Sequence, residues 1–231
     1  MEIGFAFFHP VHEIVQHHAM QLGVRHAVTN GSWVGCNSYS KEWDYMPLLK
    51  TKLSMNEFGM EFDVLEGVVF IDAAKLGTSE KEEAIVHFIT LLENCSKLGI
   101  KTICYNWMPV WGWFRSRQNM ELKGGATVTE FIRSDIPTEP LTEFGYVSKD
   151  QLWTNLEYFL KKVVPYAEKY KVQLALHPDD PPVDNIGGID RILTSADAMQ
   201  QVIDLVPSEY NGITMCQGCL LYTSDAADDK A

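Results

Sequence analysis

Ser79–Tyr105 reads SEKEEAIVHFITLLENCSKLGIKTICY, one complete helix-to-strand unit. Ser79 with Glu82 three residues on has the form of a capping box, in which a hydroxyl takes a helix N–H and a carboxylate reaches back. Ile85, Phe88, Ile89 and Leu92 then recur at helical spacing and make one apolar face. Gly99 stands where a helix ends in a left-handed residue. Directly after it, Ile100–Tyr105 is short, partly β-branched and nearly all apolar. Such a run suits a strand buried on both faces, as in a parallel sheet covered by helices.

The same reading extends in both directions. Glu2–Phe8, Val24–Thr29, Glu61–Glu66, Val172–His177 and Gly212–Cys216 are the other strand candidates. Ser148 with Gln151 repeats the capping pattern before a stripe of Leu152, Leu156, Phe159, Leu160 and Val163. Pro165 predicts a kink or break in that helix. A last helix is predicted from Ser195 to Val206, with Met199, Val202 and Ile203 inward. Strand–helix alternation of this kind implies right-handed βαβ units and an α/β fold. Trp107–Val147 and Pro178–Thr194 are too long for simple connections. Both follow strand C-termini, where barrel enzymes build their sites.

Composition narrows the class. The 231 residues suffice for one sizeable core but sit near the short end for an eight-fold barrel, about 250 being typical. With 46% apolar and 22% charged residues, disorder is excluded for most of the chain. A net charge of −12 argues against a general nucleic-acid or membrane-surface binder. No apolar run approaches the roughly 20 residues of a membrane span. The opening MEIGFAFFHP has no basic flank and is cut by His9-Pro10, so no signal peptide is expected. Five scattered cysteines (Cys36, Cys95, Cys104, Cys216, Cys219) fit a reducing compartment. The expectation is a cytoplasmic protein without nucleic-acid or membrane partners.

The strand ends carry polar groups: His9, Asn30, Glu66, Asn106, His177 and Cys216. In parallel strands these share one rim and point into one pocket. His177 and Cys216 are the best ligand pair, since imidazole and thiolate both bind divalent transition metals. Their bland alternative is a hydrogen-bonded core histidine and a small buried cysteine. Asp179 and Asp180 either orient His177 from behind or cap a turn before Pro181-Pro182. His12-Glu13 and His17 give HExxxH, which sets the imidazoles about 140° apart on a helix and excludes a shared ion. With His18 they read as helix-surface residues. Gly187-Gly188 lacks the spacing and the lysine of a phosphate loop. Arg115 and Arg117 are either carboxylate-binding cations or covers for Trp111 and Trp113.

Ile103–Val110 (ICYNWMPV), Trp113 and Arg115, Leu176–Pro182 (LHPDDPP), Asp190–Gln200 (DRILTSADAMQ) and Asn211–Gly218 (NGITMCQG) together resemble the mannonate dehydratase family of hexuronate catabolism. The resemblance covers roughly residues 95–218. Glu66-Gly67-Val68 matches a family Glu-Ser-Val-Pro segment loosely, and the family's Trp-Tyr-Gly-Pro opening is absent. The resemblance implies a TIM-type (β/α)8 barrel and a metal-dependent lyase. Such an enzyme converts D-mannonate to 2-dehydro-3-deoxy-D-gluconate with Mn²⁺ or Fe²⁺. It implies His177 and Cys216 as metal ligands and Asn106, Arg115 and Glu66 as sugar-acid contacts, in a protein able to form homo-oligomers at full length.

Two further family ligands, a His in His-Leu-Arg and an Asp in Asp-His-Gly, have no counterpart in this sequence. Acid/base residues are expected beyond Gly218. Cys219–Asp228 (CLLYTSDAAD) resembles a translated transposase adapter from DNA library preparation. The expectation is therefore a partial barrel over residues 1–218, about six of eight strands, and a non-native tail over 219–231. Such a fragment is expected to be inactive. Alternatives are a xylose-isomerase-like isomerase or epimerase, which a cysteine ligand argues against, and a non-catalytic sugar-acid-binding barrel.

Overall fold

The structure, a computed structural model, describes residues 2–8, 13–30 and 39–220. His9, His12, Cys36 and residues 221–231 lie outside the described residues. In chain order the elements are β1 (Gly4–Phe7), α1 (Glu13–Gln21), β2 (His26–Thr29), α2 (Tyr45–Glu57), β3 (Glu61–Glu66), α3 (Asp72–Leu76), α4 (Lys81–Leu98) and β4 (Thr102–Asn106). A hairpin of β5 (Arg117–Glu121) and β6 (Thr127–Glu130) follows, then α5 (Lys149–Tyr170) and β7 (Gln173–His177). The short pair β8 (Asn185–Ile186) and β9 (Ile189–Asp190) precedes α6 (Ala196–Leu205), β10 (Asn211–Ile213) and α7 (Gln217–Leu220).

Six of these strands form one sheet in the order β1-β2-β3-β4-β7-β10, every neighbouring pair parallel. This is the α/β arrangement of a β/α-barrel, laid down in chain order. Among the described residues β1 and β10 are its two edges. The core lies between the sheet and the outer helices. Phe88 of α4 and Phe159 of α5 meet at a centroid distance of 5.0 Å, with Tyr105 of β4 beneath both. The predicted stripe of α5 is buried from Leu152 to Val163, and Met199 and Val202 of α6 are buried while Ile203 is only partly so. No helix among the described residues is long and apolar enough to cross a membrane.

Three local expectations are corrected. Ser79 does not cap α4: the N-cap is Glu80, without a side-chain cap bond. Thr78 is engaged in ending α3, donating its N–H to Ala73 O, and its hydroxyl contacts Glu80. The chain enters α4 through that turn. Ser148 does cap α5, accepting the Gln151 N–H. Pro165 does not break α5, which runs unbroken over 22 residues. Pro165 lies on the exposed face, where the carbonyl its missing N–H leaves free is open to solvent, and buried Val163, Val164 and Ala167 hold the helix in place. Finally, the last strand ends at Ile213, so Cys216 sits beyond it, in the turn before α7.

The two long connections are stitched to each other. Val147 N–H donates to Gly188 O at 2.9 Å and Gly187 N–H to Pro137 O at 2.8 Å. Gly188 has φ +85°, and a Cβ there would stand 2.7 Å from Pro140 Cα. Close loop packing, not phosphate binding, is what this glycine pair serves.

At the opposite end of the strands, His26 Nδ1 lies 2.5 Å from Asp63 Oδ2, and Lys101 Nζ lies 2.8 Å from Asp63 Oδ1. The bond to Asp63 holds the His26 imidazole above its ordinary range. Burial alone would raise Asp63, but the Lys101 and His26 hydrogen bonds win and hold it low. The His26 contribution is complete below the unfolded imidazole pKa of about 6.5 and is lost as pH rises through the raised folded value. The Asp63 contribution is complete above about pH 4 and is lost as pH falls through the lowered folded value. His26→Gln is therefore expected to destabilise more at pH 5.5 than at pH 8.5, read as the difference in urea midpoint from the wild type. An equal loss at both values would refute the linkage.

Candidate active site

The site forms where the C-terminal ends of β3, β4 and β7 meet. Register alone brings its groups level: Asn106 pairs with His177, and Glu66 with Cys104. These four residues line one cavity of about 540 Å³, together with Met108 and Trp113 from the loop after β4. Burial pushes the Glu66 carboxyl up, with the His177 side chain opposing. Burial also pushes the Cys104 thiol up, to about 12, and its sulfur lies 3.0 Å from Thr214 Oγ1.

His177 Nδ1 lies 2.7 Å from the Pro178 carbonyl oxygen. A carbonyl only accepts, so Nδ1 carries a proton, and in the neutral imidazole Nε2 then keeps the lone pair that a metal-binding histidine needs. His177, Cys216 and Cys219 bring their donor atoms within 4.8 Å of one another. Cys216 Sγ is 2.8 Å from Cys219 Sγ, and burial pushes the Cys219 thiol up. An imidazole nitrogen with a thiolate is a donor set for a borderline divalent metal, so the residues present fit part of a metal sphere. A second cluster of this type, His26, Glu61 and Asp63, lies at the far end of the sheet, where Lys101 already pairs with Asp63.

The two aspartates after His177 have other partners. Asp179 Oδ2 accepts the N–H groups of Ile192 and Leu193 at 2.9 and 2.8 Å, and its other oxygen lies 3.7 Å from Arg191 Nη1. Asp180 forms a two-point pair with Arg115, at 2.6 and 2.8 Å. Neither is the group bonded to His177 Nδ1; the Pro178 carbonyl is. Arg115 also lies over Trp113, 4.7 Å from the ring centroid, as its reading as a cover for that ring expects, while the carboxylate it holds is the protein's own Asp180. It lines a second cavity of about 470 Å³ that shares Asp180 with the first. Arg117 instead pairs with Glu130 across the hairpin. Asn30 leaves its Oδ1 buried without a hydrogen bond among the described residues, near Gly67 at the cavity wall.

Sequence reasoning passes over Cys104 and Lys75 at this site. Strand alternation is the available signal for Cys104, two residues before Asn106 on the same face. For Lys75 it is a lone cation in the run IDAAKLG, three residues after Asp72.

The family profile described as D-mannonate dehydratase (UxuA) matches residues 1–144 and 138–230. The mannonate dehydratase of Streptococcus pneumoniae is 35% identical over 211 residues, 81% of this chain and 57% of that protein. The chain thus spans just over half the length of that relative. The crystal structure of mannonate dehydratase from Streptococcus suis superposes with a TM-score of 0.84 at 33% identity, covering 98% of this chain and 65% of that one. A D-psicose 3-epimerase structure superposes at 0.56 with 12% identity, covering 91% and 61%, a likeness of fold alone. With the profile match and 35% identity to a curated relative, the chain belongs to the D-mannonate dehydratase family.

Proposed function

We propose that this chain carries part of the active site of an enzyme that dehydrates D-mannonate to 2-dehydro-3-deoxy-D-gluconate. The observation that carries this is the convergence of His177, with its Nε2 lone pair, on the cavity shared by Glu66 and Asn106, with Cys216 beside it. His177 and Cys216 would hold the divalent ion, Mn²⁺ or Fe²⁺. The proton to be removed is α to a carboxylate and weakly acidic; a bound divalent ion supplies stabilisation of the negative charge that develops. Asn106 and Glu66 hold sugar-acid oxygens, and the raised Glu66 carboxyl suits donation to a hydroxyl. Arg115 reaches the substrate carboxylate by exchanging its Asp180 partner.

The domain is read as residues 1–218, with 219–231 a foreign tail; sequencing the genomic locus across codon 218 tests that reading. As it stands, the chain offers two of the ligands the resemblance implies, so weak metal binding and no turnover are expected. The test has two arms. Mn²⁺ binding, followed by the spin-resonance signal of the free ion, is expected to fall in both His177→Ala and Cys216→Ala. Keto-deoxy-gluconate formation is measured with D-mannonate, with altronate, fructuronate and D-fructose as controls. Metal binding unaffected by either variant would overturn the ligand assignment. Epimerisation of D-fructose would favour an isomerase instead.

A further inference from the structure

Lys75 lies in α3, behind the cavity, with 2% of its surface exposed. The dehydration chemistry above does not use it. A buried ammonium is costly unless paired, so its partners are informative. Its Nζ lies 2.9 Å from Asp72 Oδ1 and donates to Asn106 Oδ1 at 3.1 Å. The Met108 N–H donates to that same oxygen at 3.0 Å. An amide oxygen has two lone pairs, and both are taken. A flipped amide would set its NH2 group against an ammonium and a backbone N–H, so the network decides the orientation. The Asn106 NH2 group is then left for the cavity that Asn106 lines.

The network is anchored on both sides. Asp72 Oδ2 accepts the Val110 N–H at 2.9 Å, and Val110 sits at φ +67°, a strained conformation for a β-branched residue. Asn155 Nδ2 of α5 donates to Lys75 O at 2.9 Å. Burial pushes the Lys75 ammonium down and Asp72 opposes it.

We infer that Lys75 is a positioning residue: by binding Asn106 Oδ1 it presents the Asn106 NH2 group to a carboxylate or hydroxyl oxygen of the sugar acid. The ligand class rests on the function proposed above; the orientation of the amide does not. The double variant Asp72→Asn/Lys75→Met removes the buried ammonium and its half-exposed carboxylate partner together and leaves neither charge unpaired. In protein labelled with ¹⁵N-asparagine, the Asn106 NH2 signals are assigned by their loss in Asn106→Asp. They are expected to move in the double variant more than those of remote asparagines. In the wild type they are expected to shift on titration with D-mannonate. D-mannonate affinity is expected to fall about tenfold in the double variant, the effect of one hydrogen bond to an ionised group, while Mn²⁺ affinity is unchanged.

Unmoved Asn106 signals in a folded double variant would overturn the inference, as would unchanged D-mannonate affinity where the wild type binds. Moved signals with no D-mannonate binding by either protein would uphold the Lys75–Asn106 coupling and count against the proposed function. If the double variant does not fold, Lys75→Arg, which keeps the charge and the donor, is expected to keep D-mannonate binding. Loss of binding in a folded Lys75→Arg protein would overturn the inference.

Discussion

Asp179→Ala is expected to destabilise the protein by about 3–5 kcal/mol, the range for removing one partner of a buried pair. Asp179 is fully buried and Arg191 is 1% exposed. Burial pushes the Asp179 carboxyl up and the Arg191 guanidinium down, each toward neutrality, and the two oppose this by mutual attraction. The substitution leaves Arg191 with the Gly112 O hydrogen bond at 2.9 Å and the nearby Asp180 charge. It also strips the Ile192 and Leu193 N–H groups of their acceptor. Asp179→Leu/Arg191→Leu removes both charges and is expected to cost less than Asp179→Ala. Urea denaturation of the three proteins measures this. A loss below about 1 kcal/mol in Asp179→Ala would show that the pair is dispensable. Since Asp179 ties the loop after β7 to the residues before α6, the effect is on the site's frame and not on His177 directly.

Phe159→Ala is the second large effect, about 3–5 kcal/mol for an emptied aromatic site in a core. Phe159 has no exposed surface. Its ring stands 5.0 Å from Phe88, 5.8 Å from Tyr105 and 5.2 Å from Trp107, centroid to centroid. The last two flank Asn106 in the chain, and Trp107 Nε1 donates to Leu152 O at 3.1 Å, which fixes that segment to α5. Collapse into the cavity would therefore disturb the end of β4 as well as the core. At about 2–4 °C per kcal/mol for a chain of this size, the melting temperature is expected to fall on the order of 10 °C. Phe159→Leu, which leaves a smaller void, is expected to fall less. Equal melting temperatures for the two variants would show that volume at this position is not what matters.

Much of the architecture was legible because its signals are local. A buried parallel strand needs a short apolar run, and a helix between strands needs one apolar stripe. Glu61–Glu66 is legible to the residue, and all five residues expected in the α5 stripe are buried, with Val164 and Ala167 extending it. The failures were also local in appearance but not in cause. Ser79 has the right spacing for a cap, yet Thr78 is already committed to ending the preceding helix. Pro165 has the right chemistry for a break, yet core contacts on the other face override it. The β5–β6 hairpin escaped notice because neither strand is apolar: both are largely exposed, with no sheet against them.

For the site, sequence alone determined which polar groups stand at the strand ends, because strand boundaries and alternation are properties of neighbours in the chain. It therefore named Glu66, Asn106 and His177, and register set them level. Which group orients which was decided only by the tertiary structure. The Pro178 carbonyl, not an aspartate, sets the His177 tautomer. Asp180 takes Arg115 from 65 residues away, and a lysine buried behind the cavity takes the oxygen of Asn106. These are contacts between elements distant in sequence. A charge finds its partner only when packing has excluded water from around it, so no spacing rule announces the pair beforehand.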